Sequence, residues 1–133
     1  MIQRENEMKP LPVTSPGLEE NLYDLSILQE MDDREYIIEI VSMFLNDTPK
    51  ELKAIKEALT ACNTDTVYKI AHKLKSSAGI LQAHRLIYLL TEIERIAKSE
   101  KSGDKLANLF DNVQQQYKDL ESALQKLLKN MRV

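Results

Sequence analysis

An all-α fold, an up-and-down antiparallel four-helix bundle with short additional helices at its N-terminal end, follows from three features of the sequence. Apolar residues recur at i, i+3 and i+4 along most of the chain after residue 22, and no alternating strand pattern competes with them. Breaks are few, because three of the four prolines lie within the first seventeen residues. The composition, 43% apolar but only 5% aromatic in 133 residues, suits one aliphatic core. Short connections between long amphipathic helices then favour antiparallel neighbours.

Residues 1–21 set Pro10, Pro12, Pro16 and Gly17 among polar residues without a period, and read as a flexible leader or linker ahead of a helical bundle domain over 22–131. Asp24 caps a short helix from Leu25 to about Met31, and Asp32 with Glu35 makes a capping-box-like start to a helix reaching about Asn46. Thr48-Pro49-Lys50-Glu51 is a further capping box with proline at the first helical position, so a new helix is expected from Pro49, with Leu52, Ile55 and Leu59 on its apolar side. Asn63 caps the next helix, which is expected to fray between Gly79 and Gln82. A helix over about Ala83–Ser99 buries Leu86, Leu89, Leu90, Ile93 and Ala97. After the Lys101-Ser102-Gly103 break, Leu106, Leu109, Phe110, Val113, Tyr117, Leu120, Leu124, Leu127 and Met131 mark a last helix about 40 Å long.

Within the helix that Asn63 caps, residues 71–79 read AHKLKSSAG. Lys75, Ser76 and Gly79 follow His72 at i+3, i+4 and i+7, and Tyr68 precedes it at i−4, so all share one side of the helix. Val67, Ile70, Ala71, Leu74, Ala78 and Leu81 form an apolar stripe more than a quarter turn away, which points His72 outward beside a cation. Ser76 and Gly79 leave room above the imidazole. A glycine inside a helix costs roughly 1 kcal/mol relative to alanine, which implies that something approaches closely there. No Asp or Glu occurs between Thr66 and Thr91, whereas Lys69, Lys73, Lys75 and Arg85 do, in a chain of net charge −3. Such a basic window invites an anionic partner. The plainer alternative is a solvated histidine on a charged face.

The motif H-x-L-K-S-S-A-G on a helix, preceded by FLNDTPKELKAIKEAL, resembles the histidine-containing phosphotransfer (HPt) domains of bacterial multistep phosphorelays, over about residues 22–128. The resemblance implies that His72 accepts a phosphoryl group from an aspartate of a response-regulator receiver domain and passes it to another receiver. It also implies that Lys75 neutralises phosphoryl charge, and that Glu94, 22 residues on, hydrogen-bonds the other imidazole nitrogen. For Glu94 the alternative is a surface acid paired with Lys98 at i+4. Two positions depart from the family pattern: Ser76 and Gln82 stand where glycine is common. Neither removes the nucleophile, but Ser76 adds a side chain next to the imidazole. A chain of this kind occurs free or as the C-terminal domain of a hybrid sensor histidine kinase.

The chemistry suits these residue types. A neutral imidazole carries a lone pair near pH 7 and attacks phosphorus in line without a dedicated base, leaving positioning and charge stabilisation to do the rest. Unit charges about 4 Å apart attract by about 4 kcal/mol at a surface-like dielectric, so Lys75 assists rather than decides, and Lys75→Ala slows transfer more than it abolishes it. No acidic cluster lies near His72, so Mg²⁺ is expected to come with the receiver and the chain to need no cofactor of its own. Without a Gly-rich phosphate loop autophosphorylation is not expected, and the resemblance implies a phosphoryl carrier rather than an enzyme. Tyr68, Lys69, Lys73, Ser76, Gly79, Ile80 and Lys98 are the expected docking surface, small and transient because a relay partner must leave. The alternative function is a helical-bundle adaptor that binds a receiver or another signalling protein and carries no phosphate; the presence of both His72 and Lys75 argues against it.

Other classes fit poorly. Cys62 is single, which forbids an internal disulfide and suits a reducing compartment, and it lacks the orienting partner of a Cys–His hydrolase. His72 and His84, without HExxH or a cysteine cluster, do not make a metal site, and His84 reads as solvated. The start MIQRENEM is too polar for a signal peptide, and the longest apolar run, near Ile37–Leu45, is too short to span a bilayer, so a cytoplasmic protein is expected. The basic window is too short and poor in arginine for a nucleic-acid surface. The bundle accounts for the apolar stripe of the last helix, so a monomer is expected.

Overall fold

Turns of three residues, 61–63 and 81–83, separate three of the amphipathic stretches, and consecutive helices fold back on one another. The computed structural model describes residues 22–99 and 103–132, and all regular structure among them is helical. The order is α1 (Ser26–Gln29), α2 (Arg34–Thr60), α3 (Thr64–Ile80), α4 (His84–Ser99) and α5 (Gly103–Met131). The leader expected over 1–21 and the break at Lys101-Ser102 lie outside the described residues. α2 packs beside α3 and α5, and α4 packs beside the same two, closing a four-helix ring, while α1 rests on α2. Val41, Ile55, Val67, Leu74, Leu90, Ile93, Leu106 and Leu124 are among the side chains wholly withdrawn into the shared core. α2 and α5 run antiparallel: Arg34, at the start of α2, donates from Nε to the Met131 carbonyl at the end of α5 at 2.9 Å. Its charge there also suits the negative pole of the helix.

Pro49 does not begin a helix. α2 runs unbroken for 27 residues through it, correcting the expectation of two helices meeting at Thr48-Pro49. Val41, Phe44, Thr48, Leu52 and Ile55 are buried at spacings of three and four, so one continuous stripe faces the core and a break would throw its two halves out of register. Thr48 is a buried member of that stripe rather than a cap. Proline inside a helix costs about 3 kcal/mol, partly because it removes the N–H that would bond the carbonyl four residues back. Here that carbonyl belongs to Leu45, and the Tyr117 hydroxyl of α5 donates to it over a long 3.5 Å. Tyr117 is held in place against Phe44, with ring centroids 6.0 Å apart.

The helix ends also differ from expectation in detail. Asp33, not Asp32, caps α2, its carboxylate accepting from the Tyr36 N–H at 3.0 Å, while Asp32 takes a left-handed φ of 53°. α1 is a single turn, shorter than the helix expected to reach Met31, and its N-cap position falls on Leu25 rather than on the expected Asp24, which lies one residue earlier and accepts from the Ser26 N–H at 2.9 Å. Asn63 caps α3 as expected, accepting from the Thr66 N–H at 3.1 Å. The end of α3 is closed rather than frayed. Gln82 adopts φ 51°, its N–H bonds the Gly79 carbonyl, and the Ala83 N–H bonds Ala78, the paired closure of a Schellman motif. α2 ends the same way at Cys62, φ 56°. The α3–α4 turn is thus fixed, and with it the register that sets His72 opposite Glu94.

Candidate functional site

α3 buries Val67, Ala71, Leu74 and Ala78, which leaves His72 on the opposite, outward side with 60% of its side chain exposed. Glu94 comes from the inward side of α4 and is buried, an unusual place for a carboxylate unless it is paired. It is paired twice. His72 Nδ1 lies 2.5 Å from Glu94 Oε2, and Lys75 Nζ lies 2.5 Å from Oε1. Burial pushes the Glu94 carboxyl upward, but the hydrogen bonds from Lys75 and His72 and the charge beside it outweigh that, so it titrates below its ordinary value. An ionised carboxylate only accepts, so Nδ1 carries the proton and the lone pair of the neutral ring resides on Nε2, on the exposed side. The pairing with Lys98 weighed for Glu94 is not formed.

Lys98 instead places its ammonium 5.5 Å from the ring centroid of Tyr68, and the Tyr68 ring stacks with the His72 imidazole at 6.1 Å and 16° between planes. Lys69 and Lys73 are exposed but engaged, with Asp65 at 3.2 Å and Glu51 at 3.3 Å. The Ser76 hydroxyl turns back to the His72 carbonyl at 3.4 Å, so it does not crowd the imidazole face. A Cβ on Gly79 would meet nothing within 4 Å, so no packing inside the molecule demands glycine there. Ile80 is exposed at the edge of a shallow groove of about 130 Å³ between α2 and α3, shared with Ile40 and exposed Met43.

The structure therefore brings His72, Lys75, Glu94, Tyr68 and Lys98 together, leaves Ser76 and Gly79 as an open shoulder beside them, and sets Lys69, Lys73 and Ile80 around the margin. Met43 and Ile40 belong to α2, and it is the packing of α2 on α3 that puts them near this face. His84 is exposed at the start of α4, beside a surface hollow shared with Asp24 and Gln82. Among the described residues no group of three or more His, Cys, Asp and Glu side chains could hold a metal ion, and no helix is long and apolar enough to cross a membrane.

A family model described as the Hpt domain matches residues 39–131. The chain is 26% identical over 93 residues to the sensor protein EvgS of Escherichia coli strain K12, and equally so to its counterpart in strain O157:H7. Each match takes in 70% of this chain but 8% of the relative, so the chain spans less than a tenth of the length of these curated relatives. No solved structure matches it.

Proposed function

The chain belongs to the Hpt domain family, and we propose that it carries a phosphoryl group on His72, taken from the aspartyl phosphate of a receiver domain and passed to a second receiver. What carries this reading is one observation: an exposed imidazole whose Nδ1 is tied to a buried, ionised carboxylate, leaving the other nitrogen free. In the transfer step Nε2 donates its lone pair to phosphorus, the bond from phosphorus to the aspartyl oxygen breaks, and that oxygen keeps the electron pair as carboxylate. The Nδ1 proton stays in place, hydrogen-bonded to Glu94, whose charge offsets the cationic character the ring gains. Lys75 stands where it can share the new negative charge. Return of the group to a second aspartate reverses each event.

The receiver supplies Mg²⁺ and the acid cluster that holds it. Docking falls on the shoulder of Ser76 and Gly79, with Ile80, Met43 and Ile40 as its apolar margin and Lys69 and Lys73 at its rim. The name of the E. coli relatives, sensor protein, is in keeping with a place in a signalling chain. The test is transfer of label from phosphorylated receivers with Mg²⁺ to the wild-type chain and to His72→Gln. Acid-labile, base-stable label on the wild type alone is expected. Binding of a receiver without any label would instead favour an adaptor.

A further inference from the structure

One hydrogen bond does not fix a ring. The contact from Nδ1 to Glu94 anchors one edge of the imidazole, and about that axis the ring can still tilt, which would sweep Nε2 away from any line of attack. A second constraint comes from Tyr68. Tyr68 lies one turn before His72, and helical side chains lean toward the N-terminal end, so the imidazole leans onto Tyr68 and away from Ser76. The planes are 16° apart at a centroid distance of 6.1 Å, within the range of offset ring pairs. Lys98 then holds Tyr68 from the neighbouring helix, its ammonium 5.5 Å from the ring centroid and within reach of a cation–π contact.

The two cross-links are in register. Going from His72 to Tyr68 steps back four residues on α3, and going from Glu94 to Lys98 steps forward four on α4, which is one turn along antiparallel neighbours in the same direction. Glu94 holding His72 and Lys98 holding Tyr68 are thus successive rungs between the same two helices. We propose that Tyr68, braced by Lys98, is a positioning residue that sets the plane of the His72 imidazole and so aims Nε2 outward, a role distinct from contacting the partner. The inference rests on the reading of His72 as phosphoryl acceptor.

The experiment compares Tyr68→Leu, Tyr68→Phe, Lys98→Met and Lys98→Arg with the wild type in three measurements: phosphorylation by the small donor phosphoramidate, affinity for a receiver, and nitrogen NMR of the His72 ring. Tyr68→Leu is expected to slow uptake from phosphoramidate about tenfold, a cost in keeping with lost orientation. Its His72 ring resonances should broaden or move toward a mixture of tautomers. Tyr68→Phe should restore most of the lost rate, and Lys98→Arg should restore what Lys98→Met loses. Unchanged phosphoramidate kinetics in Tyr68→Leu, with receiver affinity reduced, would overturn the proposal and make Tyr68 a docking residue. If the wild-type chain takes no phosphate from either source, the acceptor reading fails by itself, and the NMR arm still decides the positioning: a ring as ordered in Tyr68→Leu as in the wild type overturns it.

Discussion

Lys75 and Glu94 meet at 2.5 Å across the α3–α4 interface, so the cation that shares a carboxylate with the imidazole is already engaged. The same carboxylate holds His72 with its other oxygen. Glu94 therefore sets both the tautomer of the ring and the position of the charge beside it, and if His72 carries a phosphoryl group as proposed, Lys75 must share or exchange partners.

Glu94→Gln separates these roles. The amide oxygen can still accept from Nδ1–H, but the charge that holds Lys75 is gone. Phosphorylation is expected to persist at a reduced rate in Glu94→Gln and to fall further, by about tenfold or more, in Glu94→Ala, as measured with phosphoramidate. Denaturant unfolding should show a loss of about 1–3 kcal/mol for Glu94→Gln at neutral pH. Because the folded-state pKa of Glu94 lies below its ordinary value of 4.5, its contribution is present above that value and lost as pH falls through the lowered one. The stability gap between wild type and Glu94→Gln should therefore close in acid.

Tyr117 and Pro49 should be coupled. Pro49→Ala gives Leu45 its helical donor back, and is expected to stabilise the protein by about 1–3 kcal/mol. Tyr117→Phe should cost about 0.5–1 kcal/mol in the wild type and less alongside Pro49→Ala, where the carbonyl no longer needs the hydroxyl. A double-mutant cycle by urea unfolding measures the difference. Burial, with the Glu121 charge adding to it, raises the Tyr117 pKa well above its ordinary value of 10. The neutral hydroxyl is therefore favoured in the fold, and this stabilisation is full below pH 10 and lost as pH climbs beyond it.

Two positions near the site test what is there for the fold and what is there for a partner. Gln82 holds a left-handed φ of 51°, so Gln82→Gly should stabilise by about 1 kcal/mol. Gly79 lies in open space, so Gly79→Ala should also stabilise, by up to about 1 kcal/mol. If the shoulder beside His72 accepts a receiver, Gly79→Ala nonetheless slows transfer from a receiver while leaving uptake from phosphoramidate close to that of the wild type.

Much of this architecture was legible in the sequence because helices are local objects: the stripe through Val67, Leu74 and Ala78 and the cap at Asn63 are written within one or two turns. Pro49 misled for the same reason. Thr48-Pro49-Lys50-Glu51 has the local chemistry of a helix start, but burial of Val41, Phe44, Thr48, Leu52 and Ile55 against one core overrode it. The outward aim of His72 follows from periodicity, whereas the contact of Glu94 with His72 is to be expected only from resemblance, since no local spacing tells which residue of α4 faces His72. Lys98 shows the limit most plainly. Its spacing from Glu94 suggested an ion pair along α4, yet Glu94 turns into the α3 interface and Lys98 meets Tyr68 there instead.

Phosphorus–proton correlation NMR of the phosphorylated chain tests the central claim most directly, because it reads which atom bears the phosphoryl group. A single phosphoryl bonded to Nε2 of His72 is the predicted result. Phosphate on Nδ1, on His84, or on a carboxylate or hydroxyl oxygen would contradict the account, since Nδ1 would then have been free of Glu94 or His72 would not be the acceptor.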